Sequence, residues 1–327
     1  MKEQVAPYYW TKAWDQSILD AYQHQPKILD DSISAIHRLQ GVNDKLPWIN
    51  HMESHSVYEI YVFTEGECKY FIHDQIYDLQ PGDIILLDGF TLHKANTPSP
   101  DTYVRSMVHF SPAWLEKFLP AMGIPNLLDP FKKRNNCILR TGFDESGRYV
   151  DDKIKGIAEQ LQEIDQEYQS TGQINDMLKS ELALNFLQLL LKLYKMCEGK
   201  DMQVKRKKTE KKRHAENIAN WINQHFSEKV SLERISEEVN LNKYYISHVF
   251  KEVTGYTVMQ YVMACRLAQA KYLLEMRLDQ SLEEVFLSTG FESGAHFSRF
   301  FKDKTGMTPT KYRKMKNSKL LPKLAQW

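Results

Sequence analysis

The sequence predicts an α+β protein in two parts, and three observations support this fold class. Short apolar segments separated by turn residues lie between residues 57 and 110, which is typical of a β-barrel or a double-sheet jelly roll. Helical periodicity replaces them after Phe110. A unit of about fifty residues then recurs near the C-terminus. We therefore expect a barrel with following helices, and an all-α C-terminal domain of two helix-turn-helix motifs joined by a long helix.

Length and charge divide the chain. At 327 residues, about two domains are expected. Residues 1–198 carry 19 Lys and Arg against 28 Asp and Glu, a net −9, although the whole chain has a net charge of only +1. Residues 199–213 have a net +6 and residues 214–327 a net +4. The asymmetry indicates a C-terminal half that faces nucleic acid, with a solvated basic linker as the plainer explanation of residues 199–213.

Cysteine spacing and hydropathy favour a reducing cytosol. The N-terminus lacks the apolar core of a signal peptide. The most apolar window, Leu182–Tyr194, is too short to cross a bilayer. We expect a cytoplasmic protein with no membrane partner. The cysteines lie too far apart in sequence for a metal or disulfide motif; they are Cys68, Cys137, Cys197 and Cys265.

The barrel is expected over residues 1–143. Its predicted strands are short and β-branched or aromatic in character. They are Ile33–Leu39, Val57–Thr64, Cys68–His73, Ile76–Leu79, Asp83–Leu87 and Val104–Phe110. A short helix is predicted at Ser111–Met122, where Ser caps and Pro suits the first turn. Residues 123–143 show no regular pattern.

Two amphipathic helices are predicted over residues 144–198. The first, Asp144–Tyr168, has a narrow apolar seam, and the second, Ile174–Met196, is richer in leucine. Either both seams pack against the barrel, or one pairs with its copy in a two-fold dimer. The first seam consists of Ile154, Ile157, Leu161, Ile164 and Tyr168, and the second of Leu178, Leu182, Phe186 and Leu189.

A basic linker over residues 199–213 leads into the C-terminal domain, residues 214–327. The linker is almost entirely polar, so it cannot build a core, while its cations can attract phosphate. Helices are predicted at Glu216–Phe226, Leu232–Glu238, Lys243–Val253 and Thr257–Met276, with a further recognition helix at Gly294–Lys304. Ser231 and Asn242 are the expected N-caps of the second and third of these helices.

The repeat is visible as matching residues at an offset of 50 to 51 positions. Ser231-Leu232-Glu233 matches Ser281-Leu282-Glu283, and Phe250–Gly255 matches Phe301–Gly306. Each copy is a short helix, a tight turn and a second helix. Gly306 is expected to adopt the left-handed conformation that ends a helix.

The second helix of each copy presents a polar face that suits DNA. In a recognition helix, outward side chains near the N-terminus contact bases while flanking cations contact phosphates. Base contacts are predicted for Tyr244, Ser247 and His248, and phosphate contacts for Lys243 and Lys251. Tyr245 is expected on the core face, and an ordinary solvated helix face is the plainer alternative. The second copy presents Ala295, Ser298, Arg299 and Lys302.

A further pattern runs through the second copy and the helix before it. Its residues are Arg266, Ala270, Leu273, Leu274, Gly290, Phe291, Phe297, Ser298, Arg299, Phe301, Lys302, Gly306, Thr308, Pro309, Tyr312 and Arg313. With these residues, the chain over residues 214–315 resembles the AraC family of bacterial transcription regulators. The resemblance implies that the long helix lets both recognition helices enter successive major grooves, about 34 Å apart. Phe286 and His296 depart from the pattern, since the family has a small alanine and a tyrosine there.

The N-terminal half resembles the family's cupin-like sensor domain. The matching residues are His55, Tyr58-Glu59-Ile60-Tyr61, Gly66, Pro81-Gly82-Asp83 and His93. Glu53 replaces a histidine of metal-binding cupins, and Asp88 and Phe90 replace a proline and a glycine. These departures favour a metal-free pocket for a small polar effector. The effector-binding residues implied are His55, Glu59, Tyr61, Tyr70 and His93, with Trp48 as a further stacking face for a sugar.

The resemblance as a whole implies a cytoplasmic, homodimeric regulator that binds promoter DNA, with no cofactor and no enzymatic activity. Family members more often activate, which would make RNA polymerase a partner. A sugar in the barrel would shift the arrangement of the domains. Two other functions remain open: a metal-dependent cupin enzyme that uses His55, Glu59 and His93, and an effector-independent DNA-binding protein whose barrel only dimerises.

Overall fold

Two antiparallel sheets form the N-terminal half of the computed structural model, which describes residues 33–41, 52–116, 119–132, 137–198 and 209–320. The strands are β1 (Ile33–Gln40), β2 (Tyr58–Glu65), β3 (Lys69–Ile72), β4 (Gln75–Asp78), β5 (Asp83–Leu87), β6 (His93–Asn96), β7 (Val104–Phe110) and β8 (Cys137–Arg140). The larger sheet has the order β1-β7-β2-β5-β8, and the smaller sheet the order β4-β3-β6. This arrangement confirms the predicted β-rich domain.

The larger sheet is buried on both faces, as the alternation along β2 explains. Tyr61 and Phe63 lie in the core that includes residues of both sheets. Ile60 and Val62 lie in the core that includes the helices on the other side. All four are at most 2% exposed. Since side chains alternate between the two faces of a strand, an apolar run such as the one in β2 requires a covering layer on each side.

The six predicted strands are confirmed as β1 to β5 and β7, each within one residue at either end. Two strands were missed. The first, β6, is rich in polar residues and is held by antiparallel pairing with β3 rather than by an apolar pattern. The second, β8, lies inside residues 123–143, where the expectation of irregular structure was wrong. The helix predicted at Ser111–Met122 was also too long: α1 covers Ala113–Glu116, and α2 follows at Asp129–Lys132.

Two long helices, α3 (Glu145–Thr171) and α4 (Asp176–Glu198), cover the outer face of the larger sheet. The seam predicted on α3 is mostly buried inside the protomer, since four of its residues are at most 1% exposed. Only Tyr168, 50% exposed, faces away from that core. The seams therefore pack against the barrel and against each other, so the four buried residues are not available to pair with a second copy. They are Ile154, Ile157, Leu161 and Ile164.

The described residues of the C-terminal half form helices joined by short turns, with no strand among them. Its helices are α5 (Glu210–His225), α6 (Leu232–Val239), α7 (Lys243–Thr254), α8 (Val258–Met276), α9 (Leu282–Ser288), α10 (Gly294–Thr305) and α11 (Pro309–Leu320). The first of them starts six residues before the predicted Glu216, and Thr209 caps it. Residues 199–208 of the predicted linker and Trp48 lie outside the described residues. Within the described ranges, no helix combines the length and apolar character that crossing a bilayer requires.

The C-terminal half docks on the smaller sheet. Phe71, Ile76 and Leu92 of the barrel belong to one core with residues of α5 and α8. The Ile76 amide donates to Glu216 Oε1 at 3.1 Å, and the Tyr261 hydroxyl donates to the His73 carbonyl at 2.7 Å. Apolar burial and buried hydrogen bonds thus join the two halves.

We expect Tyr261→Phe to lower the free energy of unfolding by about 1–2 kcal/mol, because it leaves the His73 carbonyl without its donor. The measurement is the midpoint of urea unfolding. Tyr244→Phe is the matched control, since Tyr244 is 77% exposed and its hydroxyl should contribute little. Equal midpoints for Tyr261→Phe and the control would contradict this account of the docking.

Candidate functional site

The first helix-turn-helix is fixed by its caps. Ser231 caps α6, and Asn240 ends it in the left-handed conformation with φ 52°. Asn242 then caps α7 by accepting from the Tyr244 amide, and Gly255 closes that helix with φ 79°. These caps satisfy backbone groups that a helix end leaves open, so they fix where each of the two helices begins and ends. The predicted caps Ser231 and Asn242 are confirmed.

The predicted contact face of α7 is largely open to solvent. Tyr244 is 77% exposed, and the His248 side chain has the same exposure. Ser247 is half-buried between them, and Lys251 is exposed. Lys243 lies at the same helix end, where its ammonium group donates to Glu233 Oε1 at 3.0 Å. The face is therefore free to contact a partner, with one of its two lysines already paired.

Tyr245 does not belong to the core face where the periodicity placed it. It is 36% exposed, and its hydroxyl lies 3.0 Å from His214 Nδ1 of α5. The reason is that α5 begins earlier than expected, so His214 is available as a partner. Tyr245 therefore connects α5 to the recognition helix α7 instead of filling the core.

The second recognition helix, α10, also exposes its predicted residues. Ala295, Ser298, Arg299 and Lys302 are all exposed. Behind them, Phe297 and Phe301 are buried at 2% and 0% exposure. The confirmed left-handed Gly306, with φ 76°, ends the helix.

Phe286, the departure from the family pattern, is accommodated by a glycine. A Cβ at Gly294 would lie 3.3 Å from Phe286 Cε1 and 3.5 Å from its Cδ1. Gly294 is the first residue of α10, so the absent side chain leaves room for the aromatic ring where α9 and α10 meet. The bulk of Phe286 is thus matched by the small residue opposite.

The long helix α8 makes polar contacts with both helix-turn-helix motifs. Buried Arg266 donates to the carbonyl oxygens of Phe226 and Glu228, both at 2.8 Å. At the C-terminal end of α8, Glu275 accepts from the Tyr312 hydroxyl of α11. Buried polar contacts from the middle and from the C-terminal end of α8 therefore attach the helix to both motifs.

A cluster of four titratable residues lies between the two sheets of the barrel. Glu59 on β2 and His109 on β7 are direct cross-strand partners. His93, on β6 of the smaller sheet, faces them, and His55 precedes β2. The Nε2 atoms of His109, His93 and His55 lie 3.3, 3.4 and 3.5 Å from Glu59 Oε2. The structure thus brings the predicted His55, Glu59 and His93 together and adds His109.

Burial and mutual attraction set the charges of this cluster. Burial acts to raise the pKa of Glu59, but the charge of His109 and contacts with the three imidazoles outweigh it, so the pKa lies well below the usual range. Burial lowers the pKa of His55 to about 4. For His93, burial acts to lower the pKa, but attraction to the Glu59 carboxylate is stronger and raises it. Glu59 is therefore a buried anion surrounded by nitrogen atoms.

The two predicted tyrosines lie beside this cluster but within the core. Tyr61 and Tyr70 are each 2% exposed, and their rings are 4.8 Å apart. The Tyr61 hydroxyl bonds that of Tyr103. The Tyr70 ring is parallel to the His93 ring with centroids 6.4 Å apart. In this conformation Tyr70 supports His93, and neither tyrosine face is open to solvent.

Residues 53–57, the segment before β2, lie along one edge of the cluster. Glu53 forms a β-bridge with His93, and the His55 amide donates to the Gly89 carbonyl at 2.8 Å. Gly89 has a φ of 81°, and a Cβ there would lie 1.9 Å from the Val57 carbonyl oxygen. Only glycine fits this close approach. The glycine between Asp88 and Phe90 thus lets the segment sit against the sheet edge.

The same segment contacts the C-terminal domain. Lys271 of α8 donates to the Ser54 carbonyl at 3.0 Å, and Lys316 of α11 donates to Ser56 Oγ at 2.7 Å. Ser54 lies between Glu53 and the cluster residue His55. A movement of this segment would therefore reach both the long helix and the last helix of the C-terminal domain.

Sequence reasoning missed His109 and the contacts of Ser54 and Ser56. His109 could have been found, because β7 alternates and its inward positions follow from buried Val108 and Phe110 on the other face. Its pairing with Glu59 needs the strand order, which no local pattern contains. The contacts of Ser54 and Ser56 join residues more than two hundred positions apart.

Two family models match the chain. One, described as an AraC-like ligand binding domain, matches residues 48–187, and one described as a helix-turn-helix domain matches residues 235–315. The first covers the cluster, α3 and the first part of α4, and the second covers both recognition helices.

One curated relative matches most of the chain, and others match shorter stretches. The Msm operon regulatory protein of Streptococcus mutans is 23% identical over 259 residues, 79% of this chain and 84% of that protein. The melibiose operon regulatory protein of Escherichia coli is 29% identical over 143 residues, 41% of this chain and 47% of that protein. The HTH-type transcriptional activator RhaS of Escherichia fergusonii is 32% identical over 100 residues, 31% of this chain and 36% of that protein.

We expect Gly294→Ala and Phe286→Ala to be coupled in stability. With Phe286 present, the new methyl group is crowded; without it, alanine should gain helix propensity freely. The double-mutant cycle should give a coupling of about 0.5–1 kcal/mol, with Gly294→Ala more favourable in the Phe286→Ala background.

The control for this cycle is Gly156→Ala in α3, where a Cβ would meet nothing within 4 Å. It should stabilise by about 1 kcal/mol in either background. A coupling of zero between positions 286 and 294 would mean that Gly294 does not accommodate the ring.

Proposed function

The chain belongs to the AraC family of transcription regulators, and from this we propose that it binds specific promoter sequences through α7 and α10 and responds to a small polar effector in the barrel. It is a DNA-binding regulator with a ligand-binding domain, and not an enzyme. The specific DNA contacts, the effector and the mode of regulation are the proposal.

One observation carries the DNA-binding proposal: two helix-turn-helix motifs attached to one rigid helix, each with an exposed polar recognition face. Tyr244 and His248 project from the first, and Ser298 and Arg299 from the second. Exposed arginine can bind guanine through two hydrogen bonds, and nearby lysines can neutralise phosphate. Tyr244, Ser247, His248 and Arg299 are assigned to bases, and Lys243, Lys251 and Lys302 to phosphates.

The effector half of the proposal places a small polar molecule at His55, Glu59 and His93, beside Tyr61 and Tyr70. A sugar is the class proposed, and it is supported by the similarity to the melibiose operon regulatory protein. Effector binding would move the segment at Ser54 and Ser56, which contacts α8 and α11. The effector shifts DNA binding if it favours one arrangement of the two halves.

The chain is further proposed to act in the cytoplasm as a homodimer that activates transcription. The similarity to a named transcriptional activator supports activation, with RNA polymerase as a partner. Because the α3 seam is buried, a dimer would have to use other surfaces of the protomer. Met177 and Leu184 of α4, 65% and 60% exposed, are side chains that such a contact can cover.

We expect Arg299→Ala and His248→Ala each to reduce the preference for the specific site by about 1–3 kcal/mol, because each removes a side chain assigned to base edges. The measurement is fluorescence anisotropy of the full chain with DNA from upstream of its own and neighbouring genes, against scrambled DNA. Titrations across salt separate phosphate contacts from base contacts.

Arg277→Ala is the matched control, because Arg277 pairs with Asp279 after α8 and away from both recognition helices. It should leave the preference unchanged. Lys251→Ala and Lys302→Ala should weaken binding to both DNAs alike and lower the salt slope by about 1. Wild-type binding that is equal for all sequences and purely salt-driven would overturn the proposal.

A thermal-shift screen across sugars tests the effector. A sugar that binds the folded chain must raise its melting temperature, and the shift should be lost in Glu59→Gln. His37→Gln is the control in the same barrel, since His37 pairs with Asp151 instead. The sugar part of the proposal fails if no sugar shifts the wild type, or if the shift survives in Glu59→Gln.

A further inference from the structure

Two carboxylates flank the first recognition helix, and each of them holds a lysine. Lys243, at the start of α7, donates to Glu233 Oε1 of α6 at 3.0 Å. Lys211, in the first turn of α5, donates to both carboxylate oxygens of Glu252, near the end of α7, at 2.7 and 2.9 Å. In both pairs the hydrogen bond from the lysine lowers the pKa of the glutamate, so both carboxylates are ionised at neutral pH.

Both ion pairs lie beside side chains that are assigned to bases. Glu252 Oε2, which accepts from Lys211, lies 3.9 Å from Nδ1 of His248. Lys243 directly precedes Tyr244 in the sequence. The four side chains of the two pairs are between 42% and 63% exposed, so a DNA backbone next to α7 can reach them.

The second motif has matching carboxylates that hold no lysine. At the repeat offset of 50 to 51 positions, Glu233 matches Glu283 of α9 and Glu252 matches Asp303 of α10. Both matching residues are exposed, and neither has an ion-pair partner among the described residues. Gly294 stands where the first motif has the lysine at the start of its recognition helix. The two pairs are therefore a feature of the first motif that the repeat does not require.

A paired lysine contributes to DNA binding differently from an unpaired one. Lys251 and Lys302 are exposed and have no ion-pair partner within the part of the chain that the structure describes, so they can neutralise phosphates of any duplex. A lysine held by a carboxylate adds nothing of this kind until the carboxylate is displaced. Ion pairs between exposed side chains contribute little to stability, so a phosphate that comes close enough can replace the carboxylate.

We propose that Glu233 and Glu252 determine specificity by holding Lys243 and Lys211 away from the phosphates of non-specific DNA. When α7 lies in the major groove of its own site, its base contacts hold phosphates close to both lysines, and each lysine exchanges its carboxylate for a phosphate. Lys211 of α5 is thereby a DNA contact of the specific complex alone. On other sequences the pairs stay closed and the two carboxylates weaken binding, which is specificity through an unfavourable contact with the wrong partner.

This inference rests on the proposed function, because it takes the base contacts of α7 as given, and it adds the residues that weaken binding elsewhere. A regulator competes for its site with a large excess of non-specific DNA, so the ratio of the two affinities decides its occupancy. Holding two cations in reserve raises that ratio without any further base contact.

The experiment measures the Kd of the full chain by fluorescence anisotropy, for the upstream DNA that it prefers and for scrambled DNA, across salt. Glu233→Gln and Glu252→Gln each free one lysine. Scrambled DNA should then bind at least about fivefold more tightly, and the slope of log Kd against log salt should steepen by about 1. The specific site should change less, so the ratio of the two Kd values should fall at least about threefold.

The matched controls are Glu283→Gln and Asp303→Asn, which remove the same charge at the equivalent positions of the second motif. They free no lysine, so they should change the affinity for both DNAs alike and leave both salt slopes as they are. Lys211→Ala is expected to weaken binding to the specific site and to lower its salt slope by about 1, with little effect on scrambled DNA. All of these side chains are exposed, and far-ultraviolet circular dichroism will show that the variants fold.

The inference is overturned if Glu233→Gln and Glu252→Gln change the ratio no more than the two controls do. It is also overturned if Lys211→Ala leaves the salt slope of the specific site unchanged. A wild type that prefers no sequence would end both this inference and the proposed function. A wild type with a clear preference, together with variants that keep its ratio, would end this inference alone.

Discussion

A carboxylate buried between two sheets has to be neutralised, and this requirement organises the barrel. Glu59 is 3% exposed, and an isolated charge at such a position costs several kcal/mol. Three imidazoles, from β6, β7 and the segment before β2, surround it within 3.5 Å. Their positions depend on the register of both sheets, so a slip of one residue in β2 or β7 would leave the anion without partners.

The same requirement links the barrel to the C-terminal domain. The segment that brings His55 to Glu59 also carries Ser54 and Ser56, which Lys271 and Lys316 contact. Burial lowers the pKa of Lys271 to about 8, so its ammonium group depends on the polar atoms that face it. The helix that carries Lys271, α8, also contacts both helix-turn-helix motifs, through Arg266 and Glu275. The residues proposed to bind the effector and the motifs proposed to bind DNA are thus connected through a few buried polar contacts.

The sequence predicted most elements because their signals are local. Caps such as Ser231, Asn242 and Gly306 and the alternation in β2 act over a few residues, and all appear in the structure. What failed depends on distant partners. The polar strand β6 exists because β3 pairs with it, and Tyr245 leaves the core because His214 reaches it. For the α3 seam the sequence left two alternatives open, and the cover provided by the sheet and α4 decides between them. His109 joined the cluster through strand order, which neighbouring residues do not encode.

The central claim is that occupancy of the Glu59 cluster reaches the DNA-binding half through Ser54 and Ser56. The most direct measurement is the Kd for one specific DNA site, with and without the sugar that gives the largest thermal shift, in the wild type and in the Lys271→Met, Lys316→Met double variant. The account predicts a change of at least about fivefold when the sugar is added to the wild type, and a smaller change in the variant. An equal change in both, or no change in a wild type whose melting temperature the sugar raises, would contradict it.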